Sequence, residues 1–149
     1  MHCMAQMLST VSPAMFEEYE INYMIPICER FGLVYYGCCE PLHHKMKEVR
    51  KLPHVRKVSM SPWVDKEKGA AEIHGDYVYS CKPNPAFVAT PSMDEDHIRK
   101  DLVETREICK RYGCPVEFIL KDISTVRHDP RRLQNWAKIA MEVSEEGAL

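Results

Sequence analysis

The amino-acid sequence predicts an α/β fold in which about four parallel strands alternate with helices. Short apolar runs of strand length recur along the chain, and segments with the three-to-four spacing of amphipathic helices separate them. Strands that alternate with helices pair in parallel through right-handed crossovers. Several of the apolar runs end in polar or reactive side chains, which is where α/β barrels place their chemistry. We expect residues 1–149 to form a single domain.

The first helix is predicted over 12–32 from its start and stop residues. Ser12 and Pro13 are typical of an N-terminal cap and a first helical turn, and Gly32 is typical of a helix end. Apolar side chains that recur at helical spacing are expected to face the core. They are Phe16, Tyr19, Tyr23 and Ile27.

The remaining elements follow from similar signals. Strands are predicted at 33–37, 55–60, 77–81 and 116–120, with helices at 42–51 and 65–74 between them. Ser92 and Glu95 form a capping-box pattern that opens a long helix ended by Gly113, and Asp129 with Pro130 opens the last helix. The stripes expected to be buried are Ile98, Leu102, Thr105, Ile108 and Cys109 in the long helix, and Leu133, Trp136, Ala137, Ala140 and Met141 in the last.

The composition excludes several classes of protein. Lysine and arginine total 20 against 22 aspartates and glutamates, a net charge of -2 that is too balanced for a nucleic-acid surface or a membrane-attracted patch. The longest apolar runs are far shorter than a transmembrane span, and the start of the chain lacks the basic region of a secretory signal. Seven cysteines, most of them inside predicted elements, argue against a secreted disulfide framework and for a reducing cytoplasm.

Four short segments occur in a characteristic order and spacing. They are 12–19 (SPAMFEEY), 58–65 (VSMSPWVD), 82–86 (KPNPA) and 121–130 (KDISTVRHDP). Together they resemble segments of the uroporphyrinogen decarboxylase superfamily, which also contains the zinc-dependent corrinoid methyltransferases. The resemblance extends along nearly the whole chain and implies a TIM-type (β/α)8 barrel. It covers only the C-terminal half of that barrel, from the end of the fourth strand through the eighth.

The resemblance implies two possible activities for full-length relatives, corrinoid-linked methyl transfer and tetrapyrrole decarboxylation. The propionate-binding arginines and catalytic aspartate of the decarboxylases have no counterpart here, and Asp122 stands where those enzymes have a histidine. We therefore do not expect this chain alone to decarboxylate uroporphyrinogen. Cysteines at a strand end favour methyl transfer, because a thiolate–zinc site activates a thiol acceptor. The alternatives are a non-catalytic remnant or binding module, one half of a split enzyme, and a truncated product.

The strand end at 36–40 is a candidate zinc site. The resemblance implies ligands at the positions of Tyr36, Cys38 and either Asp122 or Ser124, of which only the cysteine is retained. Cys38 and Glu40 are the candidate zinc ligands, since thiolates and carboxylates both bind this metal. Strand alternation places Tyr36, Cys38 and Glu40 on one face and Cys39 on the other. The alternative interpretation is that the two cysteines are small buried side chains without a functional role.

The other strand ends provide the candidate catalytic and substrate-binding residues. Lys82 is expected to hold a substrate carboxylate, and Asp122 to orient the substrate or act as a base. The same residue types also occur as rim ion pairs and core packing. The candidate substrate-binding residues are Tyr36, Trp63, Asn84 and Lys121.

The expected partners follow from the incomplete barrel. Four parallel strands cannot close a barrel that requires about eight, and the outer strands would be left with unpaired backbone groups. We therefore expect a homo-oligomer or a complementary N-terminal half. The resemblance also implies a corrinoid carried by a partner protein.

Overall fold

The computed structural model describes residues 1–4, 6–8, 10–37 and 39–147. Cys38, a candidate zinc ligand, lies outside the described residues. Within them, five strands form one sheet in which every neighbouring pair is parallel. The strands lie side by side in the order in which they occur in the chain. These features confirm the predicted α/β class with parallel strands.

The elements alternate along most of the chain. The strands are β1 (His2–Cys3), β2 (Val34–Tyr36), β3 (Val55–Met60), β4 (Val78–Cys81) and β5 (Val116–Phe118). The helices are α1 (Pro13–Phe16), α2 (Asn22–Cys28), α3 (Met46–Val49), α4 (Lys66–Ile73), α5 (Ala86–Ala89), α6 (Glu95–Arg111) and α7 (Arg131–Glu146), and a π-helical segment, Glu17–Ile21, joins α1 to α2. The sheet has one strand more than predicted. The additional strand, β1, is only two residues long and shows no alternation, so the sequence pattern does not identify it.

One face of the sheet is apolar and packs against helices. Tyr36 lies beside Val58, which lies beside Tyr79 on the next strand. All three side chains are buried in a core that also contains Phe16 and Ile73 from the helices. Removing such side chains from water contributes roughly 1.5–3 kcal/mol each.

The opposite face, which we call the polar face, is formed by His2, Tyr35, Lys57, Ser80 and Glu117. The His2 ring stacks on Tyr35 with centroids 4.5 Å apart, and the Tyr35 hydroxyl lies 2.8 Å from Ser80 Oγ. Lys57 Nζ is 2.5 Å from Glu117 Oε2. These groups therefore contact one another across the face, although Glu117 Oε1 has no hydrogen-bond partner among the described residues, and the sheet has chemically different sides.

The buried stripe predicted for the first helix is wrong except at Phe16. Tyr19, Tyr23 and Ile27 are 55%, 68% and 41% exposed, whereas Ile21 is fully buried. The cause is the π-helical segment, whose wider turn contains an extra residue and rotates the following side chains relative to an α-helical pattern.

The last helix also differs from its predicted stripe. Trp136 and Ala140 are buried as expected, whereas Leu133 and Met141 are 39% and 62% exposed, and Ala137 is also exposed. The buried face continues instead through Ile139 and Val143. In α6 the buried residues are those predicted, namely Ile98, Leu102, Thr105, Ile108 and Cys109. Side chains of α6 and α7 together form part of a second apolar cluster.

Side-chain caps fix the starts of α1 and α6. The Ser12 hydroxyl accepts from Met15 N at 3.2 Å, as predicted. Asp94, rather than the predicted Ser92–Glu95 box, caps α6 by accepting from His97 N at 2.9 Å. The carboxylate is an equally good cap and stands directly before the first helical residue.

Two further differences concern short helices. The helix predicted over 42–51 is reduced to the four residues of α3, and α5 was not predicted. None of the helices in the described part of the chain combines the length and apolar character that a membrane crossing requires.

Candidate functional site

A cleft of about 290 Å³ lies beyond the C-terminal ends of β2 to β5. Because all these strands run in the same direction, the segments that follow them meet at one end of the sheet. The residues with functional groups that line the cleft are Cys39, Trp63, Lys82, Asn84, Lys121, Asp122 and Ser124.

Gly37 ends β2 and turns the chain towards the cleft. Its φ of +100° is a conformation that side-chain-bearing residues rarely adopt. A Cβ at this position would lie 2.6 Å from Leu42 Cδ1 and 3.0 Å from Ser59 Cβ. Only glycine therefore fits the turn that leads to Cys39.

Cys39, Lys121 and Asp122 form a compact group that we call the Cys39 cluster. Lys121 Nζ donates to Cys39 Sγ at 2.7 Å and lies 2.7 Å from Asp122 Oδ2. Cys39 Sγ also lies 3.4 Å from the same carboxylate oxygen, to which the thiol can donate. The cluster thus brings a potential nucleophile, a cation and a carboxylate into mutual contact.

The Asp122 carboxyl group is held ionised by its surroundings. The hydrogen bond from Lys121 lowers its pKa, burial acts in the opposite direction, and Cys39 and Lys82 add smaller contributions to the lowering. Asp122 also has a φ of +57°, an uncommon backbone conformation for a residue other than glycine. Such conformations are enriched at functional sites, where neighbouring structure imposes them.

Lys82 connects the cleft with the polar face. It follows β4 directly, its backbone N–H donates to Met60 O at 2.8 Å, and its side chain is only 4% exposed. The ammonium nitrogen lies 5.4 Å from the centroid of the Tyr35 ring, a cation–π arrangement. A buried cation in the wall of a cleft favours the binding of an anionic ligand.

Trp63 and Asn84 complete the described walls. The Trp63 side chain is 70% exposed and offers a flat apolar surface beside Lys82. Asn84 Oδ1 accepts from Ala86 N at 3.0 Å, so this oxygen stabilises the turn before α5.

The structure brings five of the predicted site residues together and separates others. Trp63, Lys82, Asn84, Lys121 and Asp122 line the one cleft. Tyr36 lies on the helix-facing side, where its hydroxyl donates to Glu20 Oε1 at 3.2 Å. Glu40 is half-buried and is not among the residues that line the cleft.

Cys39 and Ser124 line the cleft but are not among the site residues predicted from the sequence. Strand alternation predicts Cys38 rather than Cys39 at the site if Tyr36 faces it, whereas Tyr36 is fully buried against the helices. The alternate residues Tyr35 and Gly37 lie on the other side of the strand, which leads towards the cleft. The glycine before the two cysteines is the sequence signal that a turn, rather than a continued strand, determines their directions.

The described residues do not by themselves form a zinc site. Among them, no group of three or more histidine, cysteine, aspartate or glutamate side chains is placed to hold a metal ion. Cys39 and Asp122 are adjacent, but the Lys121 ammonium contacts both and opposes a second cation there. Zinc binding through Cys38 and Glu40 stays a prediction.

Comparison with known proteins gives no matching family model, no similar curated protein and no similar solved structure.

Proposed function

We propose that this chain is the C-terminal half of a uroporphyrinogen-decarboxylase-like (β/α)8 barrel and supplies one wall of an active site for corrinoid-linked methyl transfer. Five parallel strands in sequence order support a barrel wall, because doubly wound sheets reverse their order at a switch point. The polar side chains on the face opposite the helices are consistent with the inside of a larger enclosure.

The observation that carries the proposal is the convergence of reactive side chains from three strand ends. Cys39 follows β2, Lys82 follows β4, and Lys121 with Asp122 follows β5, yet all four line the same cleft. Distant parts of a chain that meet at the C-terminal ends of parallel strands are the usual source of active sites in this class of fold.

The charges of the cleft favour a small ligand with a carboxylate group and a thiol. Lys82 is a buried cation beside the exposed ring of Trp63, so it can bind a carboxylate while the ring contacts the carbon chain. Lys121 can stabilise a thiolate, as its contact with Cys39 Sγ illustrates. The lowered pKa of Asp122 makes it a weak base, which favours a role in orienting Lys121.

In this proposal the methyl donor is held by a partner protein. A corrinoid bound by that partner would supply the methyl group, and the residues of this chain would bind the acceptor thiol, orient it and keep it deprotonated. The same residues do not favour tetrapyrrole decarboxylation, because that reaction requires a positioned acid. Asp122, whose pKa is lowered, is the one carboxyl group among the described residues that line the cleft.

The edges of the molecule support a larger assembly. β1 and β5 are the outer strands of the described sheet, so each has one neighbouring strand. In the helical segments that follow β1 in the chain, Tyr19, Tyr23 and Ile27 are exposed. We propose that a complementary N-terminal half or further copies of the chain cover these surfaces. Among the described residues, no two cysteines are joined in a disulfide bond, which supports the proposed cytoplasmic location.

Binding of 3-mercaptopropionate, monitored by NMR, tests the proposed ligand class. The indole N–H signal of Trp63 should shift on titration, while that of the buried Trp136 serves as an internal reference. Lys82→Met should weaken the affinity by about tenfold or more, as expected for a lost charge-assisted contact. Lys110→Met, at the end of α6 far from the cleft, should have no effect. Unchanged affinity in Lys82→Met would contradict the proposed site.

Two further measurements address the assembly and the reaction. Light scattering should give a mass above that of one 17.3 kDa chain, or the chain should bind a separately expressed N-terminal half. A stable monomer that binds neither another copy nor the N-terminal half would contradict the half-barrel.

With methylcobalamin added, the assembled protein should convert 3-mercaptopropionate to its S-methyl product. Binding without this product would instead identify a binding module.

A further inference from the structure

We infer that Cys39 is a covalent modification site at which the protein forms a mixed disulfide with a small disulfide carrying carboxylate groups. This modification requires neither the barrel assignment nor methyl transfer. Three features carry it: the accessibility of the Cys39 sulfur, its contact with an ammonium group, and the cationic wall of the cleft.

The accessibility of Cys39 separates it from the other described cysteines. Cys39 is half-buried and lines the cleft, whereas the other five are buried. Burial raises the pKa of Cys3 and Cys81 to about 12 and that of Cys114 to about 11. Thiols with such pKa values are protonated at neutral pH, and the thiolate is the form that attacks a disulfide.

The neighbours of Cys39 favour its thiolate. The Lys121 ammonium lies 2.7 Å from the sulfur, closer than the Asp122 carboxylate at 3.4 Å. Coulomb energies vary inversely with distance, so attraction to the cation exceeds repulsion from the anion by about a quarter. The carboxylate also contacts Lys121 at 2.7 Å and holds the ammonium in position. The shorter contact with the cation therefore favours the thiolate form of this cleft-lining sulfur.

The walls of the cleft determine which disulfides fit. A volume of about 290 Å³ accommodates one arm of a small molecule rather than a folded protein segment. Lys82 is a buried cation in this wall and attracts a carboxylate, and the exposed ring of Trp63 contacts apolar atoms of the same arm. Glutathione disulfide, which carries carboxylates on both arms, is a suitable probe.

The reaction is a thiol–disulfide exchange. The Cys39 thiolate attacks one sulfur of the disulfide, a new sulfur–sulfur bond forms, and the original one breaks. The other arm leaves as a thiolate with the electron pair and takes a proton from solvent. The small disulfide is the oxidant, and one small thiol is released for each Cys39 modified.

Mass spectrometry of the protein treated with glutathione disulfide tests the inference. The intact protein should gain one glutathione, and fragmentation should place it on Cys39 rather than on the adjacent Cys38. Cys39→Ser should abolish the adduct, and Cys38→Ser should retain it. Labelling of Cys38, or of several cysteines at similar rates, would overturn the inference.

The rate of modification tests the roles of the two lysines. Lys121→Met should slow the reaction about tenfold, and Lys121→Arg should restore most of the rate, which also controls for misfolding. Lys82→Met should slow the reaction with glutathione disulfide but not with the uncharged 2-hydroxyethyl disulfide. Equal rates for the wild type and Lys121→Met would overturn the inference, while leaving the binding of 3-mercaptopropionate as a separate test of the proposed function.

Discussion

The hydroxyl of Tyr36 donates a 3.2 Å hydrogen bond to Glu20, and this contact joins β2 to the π-helical segment. Burial raises the pKa of Glu20, and the hydrogen bond from Tyr36 opposes that increase. Tyr79 is buried on the same face of the sheet, but its hydroxyl has no hydrogen-bond partner among the described residues. The two tyrosines therefore share a location and differ in one interaction.

Substitution of these tyrosines by phenylalanine should give different results. Tyr36→Phe should reduce the free energy of unfolding by about 1–2 kcal/mol, because it removes a hydrogen bond and leaves a half-buried carboxylate without its donor. Tyr79→Phe should be neutral or stabilise the protein by up to about 1 kcal/mol, because it removes an unsatisfied buried hydroxyl. Urea unfolding of both variants provides the comparison, and equal losses would contradict the described hydrogen bonding.

Gly37→Ala should destabilise the fold by at least about 2 kcal/mol. The substitution forces a side chain into a positive-φ conformation and places Cβ 2.6 Å from Leu42 Cδ1. Gly32→Ala is the matched control, because a Cβ there has no neighbouring atom within 4 Å. Thermal unfolding should show a clear decrease for the first variant and little change for the second.

A bridge between α4 and α6 should make stability depend on pH. Lys66 Nζ lies 2.8 Å from both Asp101 Oδ1 and Glu104 Oε2. The hydrogen bond from Lys66 lowers the pKa of Glu104. Burial of Lys66 opposes its charge, but the bonds to both acids outweigh burial and raise its pKa.

The sign of the effect follows from these two shifts. Stability from Glu104 is present above its unfolded pKa of about 4.5 and is lost as pH falls through the lower folded value. Stability from Lys66 is present below its unfolded pKa of about 10.5 and is lost as pH rises through the higher folded value. Lys66→Met should remove both pH dependences of stability. The free energy of unfolding should fall by no more than about 1 kcal/mol, because Glu104 is exposed and solvent screens the ion pair. Lys47→Met should preserve the pH profile in urea unfolding between pH 3 and 11.

The buried face of α7 can be tested with two single substitutions. Ile139→Ala should reduce the free energy of unfolding by about 2–4 kcal/mol, because the side chain is 4% exposed in the second apolar cluster. Met141→Ala, at a position that is 62% exposed, should change it by less than about 0.5 kcal/mol. A larger loss at Met141 would favour the stripe predicted from the sequence over the face seen in the structure.

The sequence predicted the parts of the fold that depend on local patterns. The alternation of strands and helices and the buried stripe of α6 are repeated over many residues, and periodicity identifies them well. The two residues of β1 carry no such pattern. The π-helical segment changes the helical period itself, so a stripe built on the ordinary spacing selected Tyr19 and Tyr23, which are exposed.

The residues that line the cleft could be predicted only in part from the sequence. Lys82, Lys121 and Asp122 directly follow predicted strands, and parallel strands bring such residues to one end of the sheet. The position of Cys39 depends on which face of β2 the helices cover, and on the turn at Gly37. Those are tertiary properties that a single strand does not encode.

The in-order arrangement of the sheet has a consequence for synthesis on the ribosome. Each strand from β2 onwards finds its first neighbour in a segment that has already been made, never in one still to come. The nascent chain can therefore extend its sheet one unit at a time as it emerges, with short loop closures and a single growing edge. A stalled or shortened chain would end in a smaller version of the same sheet rather than in one with an internal gap.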